Sequence, residues 1–216
     1  MDTRAQSCDS TGSPFALLRN ALPSSRAQRV RIIGGRHRGR VIRFPPVADL
    51  RPTPDRVRET LFNWLGQDLT GRRTLDLFCG TGVLSLEALS RGAALAVAVD
   101  RNAALIRALE ATAAEIRIAG LETRVADAES FLTRESRSFD VVFLDPPFDS
   151  DPWRSLLPRA VGVLTTQGFV YAEAPRALDP PAGAVLWRHA KAGQVHYHLM
   201  RTDLPAVATP AKSALT

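Results

Sequence analysis

The stretch Asp76-Leu77-Phe78-Cys79-Gly80-Thr81-Gly82 closes a short apolar run over residues 74–78 and leads directly into a helix-forming segment, 83–90. Strand, tight glycine turn and helix in immediate succession place a bare backbone and a helix N-terminus at one point. Gly80 and Gly82 let the chain turn sharply and approach a ligand. In an open α/β sheet that point, at the carboxyl end of a strand near the reversal of connections, is where ligands bind. A dinucleotide fingerprint would put a third glycine at position 85, but Ser85 stands there. With no pyrophosphate to cradle, S-adenosyl-L-methionine fits better than NAD.

Downstream, apolar strands alternate with helical segments: 95–99 then 103–118, a brief strand at 123–126, a strong one at 139–144, a helix at 152–164 and a strand at 168–174. Strands without polar alternation are buried on both faces, which implies a parallel sheet sandwiched by helices. Residues 185–190 and 194–200 are linked only by Lys191-Ala192-Gly193, and so short a link requires an antiparallel pair. The expected fold is α/β, a class I (Rossmann-like) S-adenosylmethionine methyltransferase, with a seven-stranded, mostly parallel sheet ending in an antiparallel C-terminal hairpin.

Upstream, residues 30–33 and 40–44 read as a β-hairpin whose tip, Gly34 to Gly39, carries Arg36, His37 and Arg38. A helix over 52–65 follows, with Thr53 as its N-cap, Pro54 in the first turn, Val57, Leu61, Phe62 and Leu65 on its apolar stripe and Gly66 as its stop. Four regions are expected: an extension outside the fold (1–28), the basic hairpin and helix (29–66), the catalytic domain (67–203) and a tail (204–216).

Charge is concentrated in the second region. The chain carries 28 basic and 22 acidic residues, a net charge of +6. Ten of the arginines, set against Asp49 and Asp55, lie between Arg26 and Arg58, so that segment holds +8 and the remainder sums to −2. Guanidinium forks grip phosphate oxygens in pairs, so Arg31, Arg36, Arg38, Arg40 and Arg51 are read as an RNA-binding set. Cys8 and Cys79 are the chain's two cysteines, too few for a disulfide framework. No apolar run approaches the roughly 18 residues of a membrane span, and a cytoplasmic monomer without membrane or metal partners is expected. His196 and His198 alternate on one strand but have no third ligand at matching spacing.

Acidic residues fall at successive strand ends. Asp76 opens the glycine loop, Asp100 can accept hydrogen bonds from ribose hydroxyls, and Asp127-Ala128 can read an adenine edge through a carboxylate and a backbone amide. Asp145-Pro146-Pro147-Phe148 follows the strand that should lie beside the glycine-loop strand. An aromatic amine is a weak nucleophile because its lone pair is delocalised. Acceptors on both N–H bonds favour a more tetrahedral nitrogen, and the Asp145 carboxylate and Pro146 carbonyl can supply them. Phe148 offers a face for a flipped base.

The motifs resemble those of a known family. Arg31-Ile32-Ile33-Gly34-Gly35, Arg38-Gly39-Arg40, Leu50-Arg51-Pro52-Thr53, the run from Asp55 to Leu65, the Asp145 loop and Lys191-Ala192-Gly193-Gln194-Val195 with Tyr197 together resemble the RsmD family, which methylates N2 of a guanine in small-subunit (16S) ribosomal RNA within the assembled 30S particle. The resemblance implies that Gly80, Gly82, Asp100 and Asp127 bind S-adenosylmethionine, that Asp145 to Phe148 hold the guanine amine and that the arginine hairpin meets the RNA. Cys79 stands where the family commonly has a smaller residue, Asp127 where it often has an amide, and Met200 in place of an aromatic. The rivals are methylation of another amine, such as adenine N6 or a protein glutamine, and a non-catalytic ribosome-assembly factor; Ser85 counts against a nicotinamide oxidoreductase.

Overall fold

A computed structural model describes residues 28–45, 53–147 and 151–202. Seven strands form one sheet: β3 (Arg73–Asp76), β4 (Leu95–Asp100), β5 (Leu121–Val125), β6 (Phe139–Leu144), β7 (Leu164–Ala174), β8 (Ala184–Ala192) and β9 (Val195–Thr202), in the spatial order β5-β4-β3-β6-β7-β9-β8. β3 to β7 run parallel, while β9 enters antiparallel between β7 and β8. The reversal on either side of β3 makes the end of that strand the topological switch point.

Helices α2 (Val83–Ser90) and α3 (Ala103–Glu115) cover one face of the sheet, and α4 (Ala128–Arg134) and α5 (Trp153–Gly162) the other. Val97, Phe143, Val170 and Leu199 are wholly buried, as the unbroken apolar runs of those strands required. α1 (Asp55–Leu65) joins the α2 face through an aromatic row: Phe62 meets Phe143 edge-on, Phe143 meets Tyr171, and Tyr171 stacks on Tyr197.

The N-terminal hairpin, β1 (Gln28–Arg31) paired antiparallel with β2 (Val41–Phe44), is riveted to the end of α2. Ile33 N donates to Glu87 Oε2 (2.9 Å), Arg36 N to the Ser90 carbonyl (2.7 Å) and His37 N to Ser90 Oγ (2.9 Å), while Ser90 Oγ donates to the Gly34 carbonyl (2.6 Å). A Cβ on Gly35, whose φ is +71°, would lie 1.9 Å from the Ser90 carbonyl oxygen, so the approach is possible only for glycine. Beneath the contact, Glu87 is fully buried and accepts from Arg58 Nη1 (3.2 Å) and from Arg91 Nε and Nη2 (2.9 and 2.8 Å).

Several element boundaries differ from expectation. Pro54, not Thr53, is the N-cap of α1, and no side chain caps it; the Thr53 carbonyl instead accepts from Arg58 Nε (3.1 Å). β7 begins at Leu164, four residues early, because Leu164 pairs with Phe139 before a bulge that puts Gln167 at φ 63°. α4 was not anticipated at all.

Candidate active site

The glycine loop is pinned from both sides. Leu77 N donates to the Phe143 carbonyl of β6 (3.1 Å) and Cys79 N to the Val99 carbonyl of β4 (2.9 Å). Gly80 (φ 50°) and Gly82 (φ 73°) both take left-handed backbone. A Cβ on Gly82 would come within 2.3 Å of the Leu109 side chain and would be strained at a φ of +73°, so this position favours glycine. Gly82 also caps α2, whose first N–H groups therefore open at the loop.

Each predicted acid has a defined place. Asp76 is buried beneath the loop and accepts from Ser85 Oγ (2.9 Å). Ser85, where a dinucleotide fold would have glycine, thus ties α2 to the end of β3. Asp100 accepts from Gly80 N (2.9 Å) through one oxygen and from Asn102 N (2.8 Å) through the other; a carboxylate has lone pairs left for further donors. Asp127 is exposed and caps α4 by accepting from Ser130 N (3.1 Å), with Ala128 buried behind it. Cys79 is buried and burial pushes its thiol well up, which suits a packing role.

Asp145 follows β6, the strand hydrogen-bonded to β3, so the two loops leave neighbouring strand ends about 5 Å apart. Pro146 is buried and Pro147 exposed; Phe148 and Arg51 lie outside the described residues. Burial pushes the Asp145 carboxyl up to about 7. Asp76 also rises to about 7, through burial and then the charges of Asp145 and Asp100, against the Ser85 hydrogen bond. A fifth acid escaped the sequence reading: Glu173, buried on β7, takes the Tyr171 hydroxyl (2.8 Å), and burial and the Asp145 charge drive it well up. Its signal was a lone glutamate within the otherwise apolar run 168–174. None of the four carboxyls of Asp76, Asp100, Asp145 and Glu173 forms an ion pair with a described residue.

The predicted RNA-binding arginines divide. Arg31, Arg36, Arg38 and Arg40 are exposed, whereas Arg58, counted within the basic segment, is wholly buried on Glu87 and Asp55, and Arg43 pairs with Glu115 (3.4 Å). A polar cavity of about 480 Å³ lined by Arg38, Glu59, Asn63, Gln67 and Arg91 lies at the opposite end of α2 from the glycine loop.

The histidine pair acquires a third member: His189 on β8 brings its ring within 4.9 Å of that of His198 and 5.2 Å of that of His196. His198 lies between the Ala172 carbonyl at Nδ1 (3.2 Å) and the Leu178 N–H at Nε2 (3.0 Å). Ligation there would cost one of these buried hydrogen bonds.

Comparison with known proteins bears on the family and the fold. The model of the family described as Conserved hypothetical protein 95 matches residues 30–201. The chain belongs to that family. Within it, the chain is 38% identical over 184 residues to Ribosomal RNA small subunit methyltransferase D of Escherichia coli strain K12, covering 81% of this chain and 91% of that one. It is 33% identical to the Haemophilus influenzae protein of the same name, with 79% and 92% covered. Among solved structures, the putative methyltransferase yhhF from Escherichia coli superposes with a TM-score of 0.71 at 38% identity, covering 82% of this chain and 99% of that chain. The putative methylase HI0767 from Haemophilus influenzae gives 0.67 at 30%, with 81% and 99% covered. The Conserved hypothetical protein 95 chain is thus a methyltransferase with the expected sheet, and the family resemblance read from its motifs is borne out. No helix among the described residues is long and apolar enough to cross a membrane.

Proposed function

We propose that this chain transfers a methyl group from S-adenosyl-L-methionine to the exocyclic N2 amine of a guanine in small-subunit ribosomal RNA, presented by the assembled particle. The observation that carries the reading is the placement of Asp145-Pro146-Pro147 beside the Gly80–Gly82 loop, with the Asp145 carboxylate bonded to no described residue. The names of the relatives support ribosomal RNA as the substrate.

The residues fit the cofactor. Four carboxyls without ion-pair partners, two of them held near 7, make a site short of positive charge, and a sulfonium and an ammonium supply it. S-adenosylmethionine, when bound, contributes a methyl group on a positively charged sulfur. The chain orients what lies around it. Asp100 stands ready for ribose hydroxyls, the Ala128 amide at the start of α4 for an adenine edge, and the glycine loop admits the ligand to the backbone. The Asp145 carboxylate and the Pro146 carbonyl accept the two amine N–H bonds of the base and hold it for in-line attack. Asp145 can take the departing proton.

Small subunits lacking the modification, incubated with enzyme and labelled cofactor, should yield labelled N2-methylguanosine after digestion to nucleosides. Label in N6-methyladenosine, or in protein alone, would refute the guanine assignment. A pH dependence follows from Asp145: since the carboxyl is raised to about 7, its accepting form grows in as pH rises. Methyl transfer measured as kcat/KM with both substrates well below saturation, which reports the free enzyme, should climb about tenfold per unit below pH 7 and level off above it; a flat profile between pH 6 and 8 would remove Asp145 from the proton inventory.

A further inference from the structure

β8 is an edge strand exposed along most of its nine residues. Of the four large apolar side chains exposed among the described residues, three (Val185, Leu186 and Trp187) lie on it. Between Ala184 and Thr202 the chain has Arg188, Lys191 and Arg201 and no acidic residue. The Trp187 ring carries the Arg201 guanidinium 4.2 Å from its centroid and the Arg188 guanidinium at 4.9 Å, holding two planar cations against one aromatic platform.

Strand register fixes where this surface leads. Leu144 pairs with Ala172, so Asp145 falls level with Glu173; Glu173 pairs with Tyr197, and Tyr197 with Ala190. Asp145 and Ala190 therefore share one row across the sheet, three strand spacings or about 14 Å apart. Lys191 lies one residue beyond, at the rim of the same sheet end that carries the catalytic loops. The arginine tip at Arg36 and Arg38 is bonded instead to the far end of α2, an eight-residue helix about 12 Å long that starts at the glycine loop.

We propose that substrate RNA lies along the β8–β9 hairpin, its phosphates on Arg188, Arg201 and Lys191, and enters the catalytic cleft over the turn at Gly193. The proposal rests on RNA being the substrate. A second copy of the chain is the other occupant an exposed edge could accept, but antiparallel self-pairing would bring its like charges together, and charged edges oppose such pairing.

The test is the double variant R188A/K191A, both positions exposed and outside the catalytic loops. Binding to unmodified 16S rRNA and to reconstituted 30S particles is measured across a salt series, independently of turnover. Losing two phosphate contacts should weaken RNA binding at least tenfold near physiological salt and flatten the salt slope by about 1.4, at roughly 0.7 per contact on single-stranded RNA. Methyl transfer should show a raised KM with kcat, S-adenosylhomocysteine affinity and melting temperature unchanged. Wild-type RNA affinity and slope in the variant would overturn the proposal, and so would a concentration-dependent dimer that the substitutions disperse. Absence of methyl transfer by the wild-type protein would count against the function alone, since the binding series still decides whether this face holds RNA.

Discussion

Asp145→Ala is expected to lower the rate of methyl transfer roughly 10²- to 10⁴-fold, the range for loss of a positioned proton acceptor or charge-orienting group. Asp145→Asn, which keeps one acceptor oxygen, should fall between the two. The same alanine variant should be more stable than the parent at pH 8. The folded-state carboxyl sits at about 7 against an ordinary 3.8, because burial disfavours its charge. Between those values the folded chain keeps a proton that the unfolded chain has released. The group's contribution to stability therefore declines as pH rises through the window and remains unfavourable above it. Removing the carboxyl should raise the melting temperature at pH 8 and change it little at pH 4. Activity and thermal unfolding measured on one preparation separate a catalytic acid, kept at a cost in stability, from a structural one. A variant with wild-type turnover would end the assignment.

The largest stability effect should come from Glu87→Gln. Glu87 is wholly buried between Arg58 and Arg91 and also accepts the Ile33 N–H. Neutralising it leaves two buried guanidiniums without their shared anion. Removing one partner of a buried ion pair typically costs about 3–5 kcal/mol, which for a domain of this size lowers the melting temperature by on the order of 10 °C. Arg58 keeps the Asp55 carboxylate (2.6 Å) and the Thr53 carbonyl, whereas Arg91 keeps only neutral partners, the Phe62 ring and Gln67, so Arg91 should carry most of the loss. Adding Arg91→Met to a Glu87→Met background should restore much of it, because the apolar pair leaves no buried charge stranded while Arg58 retains Asp55. Equal melting temperatures for Glu87→Gln and the parent would show that the network contributes little.

The parts of the fold legible in the sequence were those written as uninterrupted chemistry. Residues 141–144 and 95–99 are apolar without alternation and could only be doubly buried strands; the three-residue link at Lys191 to Gly193 could only join an antiparallel pair. α4 was missed because seven residues complete barely two turns and give no periodicity, although Asp127 followed by Ser130 was an N-cap signal. β7 was shortened because residue 164 reads as the end of the preceding helix and the polar Thr165-Thr166-Gln167 interrupt the apolar run, whereas the sheet absorbs them as a bulge. At the site, the glycine loop and the Asp145 loop were readable as motifs. Glu173 was not, since its importance comes from its register beside Asp145 rather than from its neighbours in sequence. The arginine count misled at Arg58: composition cannot distinguish a guanidinium facing solvent from one enclosed with a buried carboxylate.

α2 leaves the glycine loop at its first residue and holds the basic hairpin at its last; under the proposed function, this short rod sets the span between the methyl donor and a contact of the hairpin with RNA. With Ser85 and Gly82 locking one end and Ser90 and Glu87 the other, that span would act under the same reading as a gauge, favouring targets whose backbone meets both ends at once.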